Sequence, residues 1–270
     1  MLGGSVMWGY AAEDSKTIPS LVGATLFSRG FDDVDVVNLA QPAHVLTQEL
    51  ATLLIELRAG RVPIAVIFLD GINDIATIAD FGEPGHVFNE NSIKERMQIG
   101  GGRLHRLARD IVGLTAIGEV VNTRIPRLLR QRNPVPATVC KELAKQYGNQ
   151  IRTIESLGAS YGFSTLFLWQ PALATTRKPL SEWEAGIVSD HPYVRLYKQC
   201  SDAVERANVS INFMDLRGLF DGESDTVFLD QWGHITEEAN QLLASIISDW
   251  IVQKDLQRDT QTDLLPPDHH

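Results

Sequence analysis

Short apolar runs rich in β-branched residues alternate along this chain with stretches of helical periodicity. The apolar runs are continuous rather than alternating with polar residues, which is typical of parallel strands buried on both faces. They lie at 34–39, 64–69, 163–169 and 209–216. Apolar positions recur at helical spacing at 45–59, 138–157, 193–207 and 236–253. Strands that alternate with helices imply βαβ crossovers, and therefore predict a three-layer α/β/α fold with a flavodoxin-like, doubly wound parallel sheet.

The length of 270 residues favours a single domain, which we place at residues 1–255. The interval 75–135 is too long for one crossover connection, so it is predicted to be an insertion over the edge or mouth of the sheet. Residues 256–270, which end in LLPPDHH, are predicted to form a loose tail. Only Met1 and Leu2 precede the first glycines, whereas a strand usually has about five residues. We therefore expect the natural product to begin upstream, with an export signal or an anchor as one option, and localisation stays open.

The charge balance bears on the choice of partner. Lys and Arg number 24 against 34 Asp and Glu, a formal charge of -10, and such an acidic surface argues against nucleic acid as a partner. The sequence has no apolar run of membrane-spanning length and no basic region followed by an apolar stretch at its start. Cys140 and Cys200 lack metal-ligand spacing, which favours two buried thiols over a disulfide framework or a zinc site.

One segment, 103–132, is locally basic. Its arginines outnumber the two acidic residues, Asp110 and Glu119. The arginines are Arg103, Arg106, Arg109, Arg124, Arg127, Arg130 and Arg132. Arginines three apart share a helical face, so the segment could contact an anionic polymer or the surface of an anionic membrane. The simpler interpretation, a solvated face that pairs with the protein's own surplus carboxylates, is favoured.

Polar groups follow the predicted strands at the edge where an open parallel sheet binds ligands. The segments are Gly3-Gly4-Ser5-Val6-Met7-Trp8-Gly9, Asn38-Leu39-Ala40-Gln41-Pro42-Ala43, Asp70-Gly71-Ile72-Asn73-Asp74 and, before the last predicted helix, Asp230-Gln231-Trp232-Gly233-His234. Each of these segments is short and unspecific by itself. Their order along the chain and their position at strand ends carry the information.

Together these segments resemble the sequence blocks of the SGNH, or GDSL-type, serine hydrolases. The family's Gly-Asp-Ser block is matched at 3–9 with Gly4 in the Asp position, and its Gly-x-Asn-Asp block is matched fully at 71–74. The Asn-x-Gly-x-x-Gly block has alanine at both glycine positions, Ala40 and Ala43, and the final Asp-x-x-His block is one residue longer here. The segment Trp169-Gln170-Pro171, with Lys178-Pro179-Leu180-Ser181 after it, is similar to a subgroup linked to bacterial surface polysaccharides.

The resemblance implies a Ser-His-Asp triad. Ser5 would be the nucleophile and His234 the base that takes its proton, because a neutral hydroxyl is a weak nucleophile without one. Asp230 would orient the imidazole, although a four-residue spacing suits one face of a helical turn better than the family's tighter loop. Asp225 or a backbone carbonyl is the alternative orienting group.

The resemblance also implies an oxyanion hole formed by the Asn73 side chain and by the backbone N–H groups of Ser5 and Ala43. Alanine at 43 keeps the N–H but disfavours a positive φ, which predicts a narrower pocket or a shifted loop. Gln170, at the end of a strand, is a candidate for substrate binding, with a purely structural role equally open.

These residues predict an ester hydrolase that works through an acyl-enzyme. The resemblance alone implies the substrate, which would be a small ester or an O-acylated, for example O-acetylated, carbohydrate. No metal site and no cofactor are implied. Two alternatives stay open: an acyltransferase that uses a sugar hydroxyl, and a non-catalytic binding or scaffold domain of the same fold.

Overall fold

A parallel four-stranded sheet forms the centre of the part of the chain that the computed structural model describes, residues 1–88, 90, 138–188 and 192–262. Its strands are β1 (Leu2–Gly3), β2 (Ala65–Asp70), β3 (Ser164–Trp169) and β4 (Phe213–Asp215), in the spatial order β1-β2-β3-β4. Leu2 lies opposite Phe68, and Asp70 lies opposite Trp169. The strands therefore end side by side, and the residues that follow them share one edge of the sheet.

Helices cover both faces of this sheet. Their bounds are α1 Ser5–Trp8, α2 Ile18–Ser28, α3 Leu46–Arg58, α4 Ile72–Phe81, α5 Val139–Tyr161, α6 Glu182–Ile187, α7 Pro192–Arg206 and α8 Glu237–Thr262. Val66 and Phe68 of β2 join one apolar cluster with α3, α4, α5 and α7. The alternate residues Ile67 and Leu69 join a second cluster with α2 and α8. The chain has a three-layer α/β/α fold.

The segment predicted as a strand at 34–39 does not form one. It lies beside β1, where the N–H groups of Leu39 and Gln41 donate to the carbonyls of Met1 and Gly3 at 2.9 and 3.1 Å. The strand prediction was wrong. Because β1 has only two residues, it offers too few backbone hydrogen bonds for a neighbouring segment to pair with it as a regular strand. The position next to β1 nevertheless corresponds to the second strand of a flavodoxin-like sheet. The predicted strand at 209–216 is likewise reduced to β4.

The structure corrects the prediction for the two cysteines. Cys140 of α5 and Cys200 of α7 form a disulfide with an S–S distance of 2.04 Å and a Cα–Cα distance of 4.5 Å. Their separation of 60 residues gave no sign of this pairing. It depends on the packing of α5 against α7, which follows from the order of the strands rather than from local spacing.

The last helix also differs from its prediction. Helix α8 continues to Thr262 and so enters the segment 256–270 that was predicted to be a loose tail. The sequence has no Gly or Pro between the start of α8 and Pro266, which explains why the helix does not end earlier. The arginine-rich segment 103–132 and the end of the tail, 263–270, lie outside the described residues. No helix within the described ranges is both long enough and apolar enough to cross a membrane.

Candidate active site

Ser5 is the first residue of α1, and only Gly4 separates it from the end of β1. Its surroundings explain the two glycines before it. A β-carbon at Gly3 would lie 3.0 Å from the carbonyl oxygen of Leu69, and one at Gly4 would lie 2.2 Å from Nδ2 of Asn73. Gly4, which replaces the Asp of the similar family, therefore leaves room for the Asn73 amide beside the serine.

The spacing of Asp230 and His234 suggested a helical turn. The two residues lie instead in a turn before α8 that is closed by contacts between its two ends. Phe228 and Ile235 form an antiparallel bridge, and Leu229 N–H donates to the His234 carbonyl at 2.8 Å. Gly233 has a φ of 79°, which a residue with a side chain rarely adopts. The extra residue in this block is thus absorbed in a turn that brings Asp230 back to His234.

These elements bring the three predicted triad residues into one hydrogen-bonded chain. Ser5 Oγ lies 2.8 Å from His234 Nε2, and His234 Nδ1 lies 2.5 Å from Asp230 Oδ2. The other oxygen of Asp230 accepts the N–H groups of Trp232 at 2.8 Å and His234 at 3.3 Å. Burial acts to raise the pKa of Asp230, but the His234 contact and these two N–H groups hold it below its usual value.

This arrangement fixes the tautomer that a serine nucleophile requires. A carboxylate beside Nδ1 favours a proton on that nitrogen, which leaves Nε2 free to accept the proton of Ser5. The histidine side chain is only 13% exposed, so bulk water has little access to the ring. Asp225, the alternative orienting group, has an exposed side chain, whereas Asp230 touches the ring.

Asn73 and Ala43 meet at the same edge of the sheet. Asn73 lies in the first turn of α4, and its Nδ2 donates to the carbonyl of His44 at 2.8 Å. Ala43 has a φ of 63°. The left-handed backbone is therefore present with alanine in the glycine position, at a cost of roughly 1–2 kcal/mol, so alanine has not moved the loop out of that conformation.

Gln170 does not have the accessible side chain expected of a residue that binds substrate. Its side chain is buried, and its Nε2 donates to the carbonyl of Gly233 at 3.0 Å. Its own backbone carbonyl accepts the hydroxyl of Tyr197 at 2.7 Å. This geometry favours the structural alternative, in which Gln170 supports the turn that carries His234.

A buried ion pair that the sequence analysis missed also holds this turn. One carboxylate oxygen of Glu184 accepts the N–H groups of Val227 and Phe228 at 2.9 and 3.0 Å, and the other contacts Lys178 Nζ at 2.5 Å. Burial opposes ionisation, but Lys178 and the N–H donors lower the pKa of Glu184 to about 2. The Ser181-x-x-Glu184 capping box of α6 was the available sequence signal.

Three carboxyl groups lie buried behind Asn73. Glu49, Asp70 and Asp74 are all buried, and the hydroxyl of Tyr147 donates to Asp70 at 3.0 Å. Burial, together with the charges of the two aspartates, raises the pKa of Glu49 well above its usual value. Burial also raises the pKa of Asp74 to about 6, against the hydrogen bond that Leu46 N–H donates to it. Glu49 interrupts the apolar stripe of α3, which was the only signal for this cluster.

Among the described residues, no group of three or more His, Cys, Asp or Glu side chains is arranged to hold a metal ion.

Comparison with known proteins gives structural likenesses only. No protein-family model matches the chain, and no curated protein matches it. Among solved structures, an acetyl xylan esterase is 11% identical over 93% of this chain and 97% of its own, with a TM-score of 0.49. A catalytic mutant of an acetylxylan esterase from Geobacillus stearothermophilus is 12% identical over 90% and 89%, with a TM-score of 0.49. The lipase/acylhydrolase from Enterococcus faecalis is 15% identical over 94% of each chain, with a TM-score of 0.48. The functional argument for this chain rests on the geometry of its own site.

Proposed function

We propose that this chain is a serine ester hydrolase that works through an acyl-enzyme on Ser5. The observation that carries the proposal is the chain of contacts from Ser5 Oγ to His234 Nε2 at 2.8 Å and from His234 Nδ1 to Asp230 Oδ2 at 2.5 Å. Nucleophile, base and orienting acid are all within hydrogen-bond distance, which is the geometric criterion for an activated serine. The resemblance of the sequence blocks to those of SGNH hydrolases supports the same assignment.

Acylation would begin with transfer of the Ser5 proton to His234 Nε2 as Oγ attacks the carbonyl carbon of the ester. The tetrahedral intermediate then collapses, the bond to the alkoxy oxygen breaks, and His234 returns the proton to the departing alcohol. Asp230 stabilises the imidazolium that exists between these two proton transfers. Water, activated by the same histidine, attacks the acyl-enzyme and releases the acid.

Negative charge on the carbonyl oxygen requires donors placed before the reaction. The Asn73 amide, adjacent to Gly4 and hydrogen-bonded to His44, is held where it can supply one of them. The backbone N–H groups of Ser5 and Ala43 are the other two proposed donors. Because Gly4 has no side chain, nothing at residue 4 separates the Asn73 amide from the proposed position of the ester carbonyl oxygen.

The proposed substrate is an O-acyl group, such as O-acetyl, on a carbohydrate or a small alcohol. Two half-exposed indoles border the His234 turn: Trp232, whose ring lies 5.0 Å from that of Tyr193, and Trp183, whose Nε1 donates to the Leu229 carbonyl at 3.2 Å. Exposed aromatic surface beside a reactive site is typical of ligand binding, and an indole face suits the apolar face of a sugar ring.

The test is hydrolysis of p-nitrophenyl acetate by the wild type and by Ser5→Ala, with the exposed Ser160→Ala as matched control. We expect Ser5→Ala to lose essentially all activity while its circular dichroism and melting temperature stay close to wild type. Equal turnover by wild type and Ser5→Ala would reject the proposal. Incubation of an acetylated oligosaccharide with a second, unacetylated sugar then separates hydrolysis from acyl transfer. Hydrolysis releases free acetate, whereas acyl transfer gives an acetylated second sugar.

A further inference from the structure

The turn after the proposed nucleophile is fixed to both halves of the site. The N–H groups of Gly9 and Tyr10 both donate to the carbonyl of Ser5, at 3.1 and 2.9 Å. Further along the turn, Glu13 N–H donates to Oε1 of Glu237 at 2.9 Å. Glu237 opens α8 only three residues after His234. The backbone at Tyr10 is therefore tied to the serine on one side and to the helix that follows the histidine on the other.

From this position the Tyr10 ring stacks on the imidazole of His234. The two ring centroids are 4.0 Å apart and the ring planes differ by 26°. Hydrogen bonds to Ser5 and Asp230 act on the two ring nitrogens, so they only weakly restrain rotation of the ring about the axis through these nitrogens. The stacked tyrosine blocks this motion and, although itself 49% exposed, helps to restrict exposure of the histidine side chain to 13%.

We propose that Tyr10 is a positioning residue for His234, which holds the imidazole in the plane of Ser5 and Asp230 and stabilises its protonated form. The inference rests on the proposed function. The face of an aromatic ring is electronegative, so it attracts the imidazolium formed during acylation more than the neutral ring that precedes it. Such an interaction at a partly exposed site corresponds to about a 2- to 5-fold effect on rate.

The experiment compares Tyr10→Leu, which removes the aromatic face, with Tyr10→Phe, which keeps it, on p-nitrophenyl acetate. In Tyr10→Leu we expect kcat to fall about 2- to 5-fold and KM to change less than 2-fold. In Tyr10→Phe we expect kcat to stay close to that of the wild type. Tyr161→Leu, at a tyrosine that is 48% exposed at the end of α5, is the matched control and should be indistinguishable from wild type.

A double-mutant cycle tests whether Tyr10 acts through the histidine. In a His234→Ala background, Tyr10→Leu should cause no further loss, because the ring it supports is absent. Equal losses in both backgrounds, an unchanged kcat in Tyr10→Leu, or a rise in KM alone would each overturn the inference. Should Tyr10→Leu fail to fold, Tyr10→Gln replaces it under the same criteria. These failures are distinct from failure of the proposed function, in which Ser5→Ala itself would keep full activity.

Discussion

Replacement of Asp230 by asparagine tests the acid of the proposed triad with little change in shape. Oδ1 of Asp230 accepts two backbone N–H groups, and the asparagine oxygen can take its place there, so the turn should keep its structure. The amide nitrogen would then face His234 Nδ1, where the carboxylate oxygen lies 2.5 Å away in the wild type. Two N–H donors cannot face each other, so the histidine would carry its proton on Nε2 instead.

An Nε2 proton points at Ser5 and prevents the histidine from accepting the serine proton. The imidazolium also loses its neighbouring negative charge. In other serine triads this change lowers kcat about 10⁴-fold, which corresponds to about 5.4 kcal/mol of activation free energy. We expect a loss of that order in Asp230→Asn, measured as initial rates on p-nitrophenyl acetate, and near-wild-type rates in Asp225→Asn. A loss below 10-fold in Asp230→Asn, with its melting temperature unchanged, would refute this reasoning.

Three further changes test other parts of the site. Asn73→Ala should lower kcat by roughly 10²- to 10³-fold with a smaller change in KM, because it removes one oxyanion donor; an unchanged kcat would leave Asn73 with only a role in the turn. Ala43→Gly should raise the free energy of unfolding by about 0.5–1 kcal/mol, since relief of the left-handed strain exceeds the entropy cost of glycine; urea denaturation that shows a loss would contradict this. Because burial raises the pKa of Asp74 to about 6, its contribution to stability is largest at low pH and is lost as the pH rises through about 6. Asp74→Asn should therefore flatten the decline in stability between about pH 4 and pH 7, and an unchanged slope would count against it.

The layered fold could be predicted from sequence, as could the proximity of Ser5, His234 and Asp230, because their signals are local. Apolar runs mark β2 and β3, and Ser5, Asn73 and His234 each stand in a short block near a strand or helix end. The disulfide between Cys140 and Cys200 could not be predicted, because it depends on which two helices become neighbours on the same face of the sheet. The same holds for Tyr10, whose contact with His234 joins residues from opposite ends of the chain.

The conformation of Ala43 shows a different limit of sequence reasoning. Backbone preference argued against a positive φ at alanine, yet the structure has one of 63°. The hydrogen bond from Gln41 N–H to the Gly3 carbonyl holds the loop before Ala43, and that from Asn73 to the adjacent His44 carbonyl holds it after Ala43. Tertiary contacts of this kind can outweigh a local cost of roughly 1–2 kcal/mol, and a single sequence does not display them.

Covalent labelling of the nucleophile tests the central claim most directly. An organophosphorus fluoride reacts with an activated serine by displacement of fluoride and leaves a stable phosphonyl ester, which peptide mass spectrometry can locate. We predict that the active protein takes up one label, that the label is on Ser5, and that His234→Ala slows its uptake strongly. A label on another serine, or full esterase activity in a preparation that takes up none, would contradict the account.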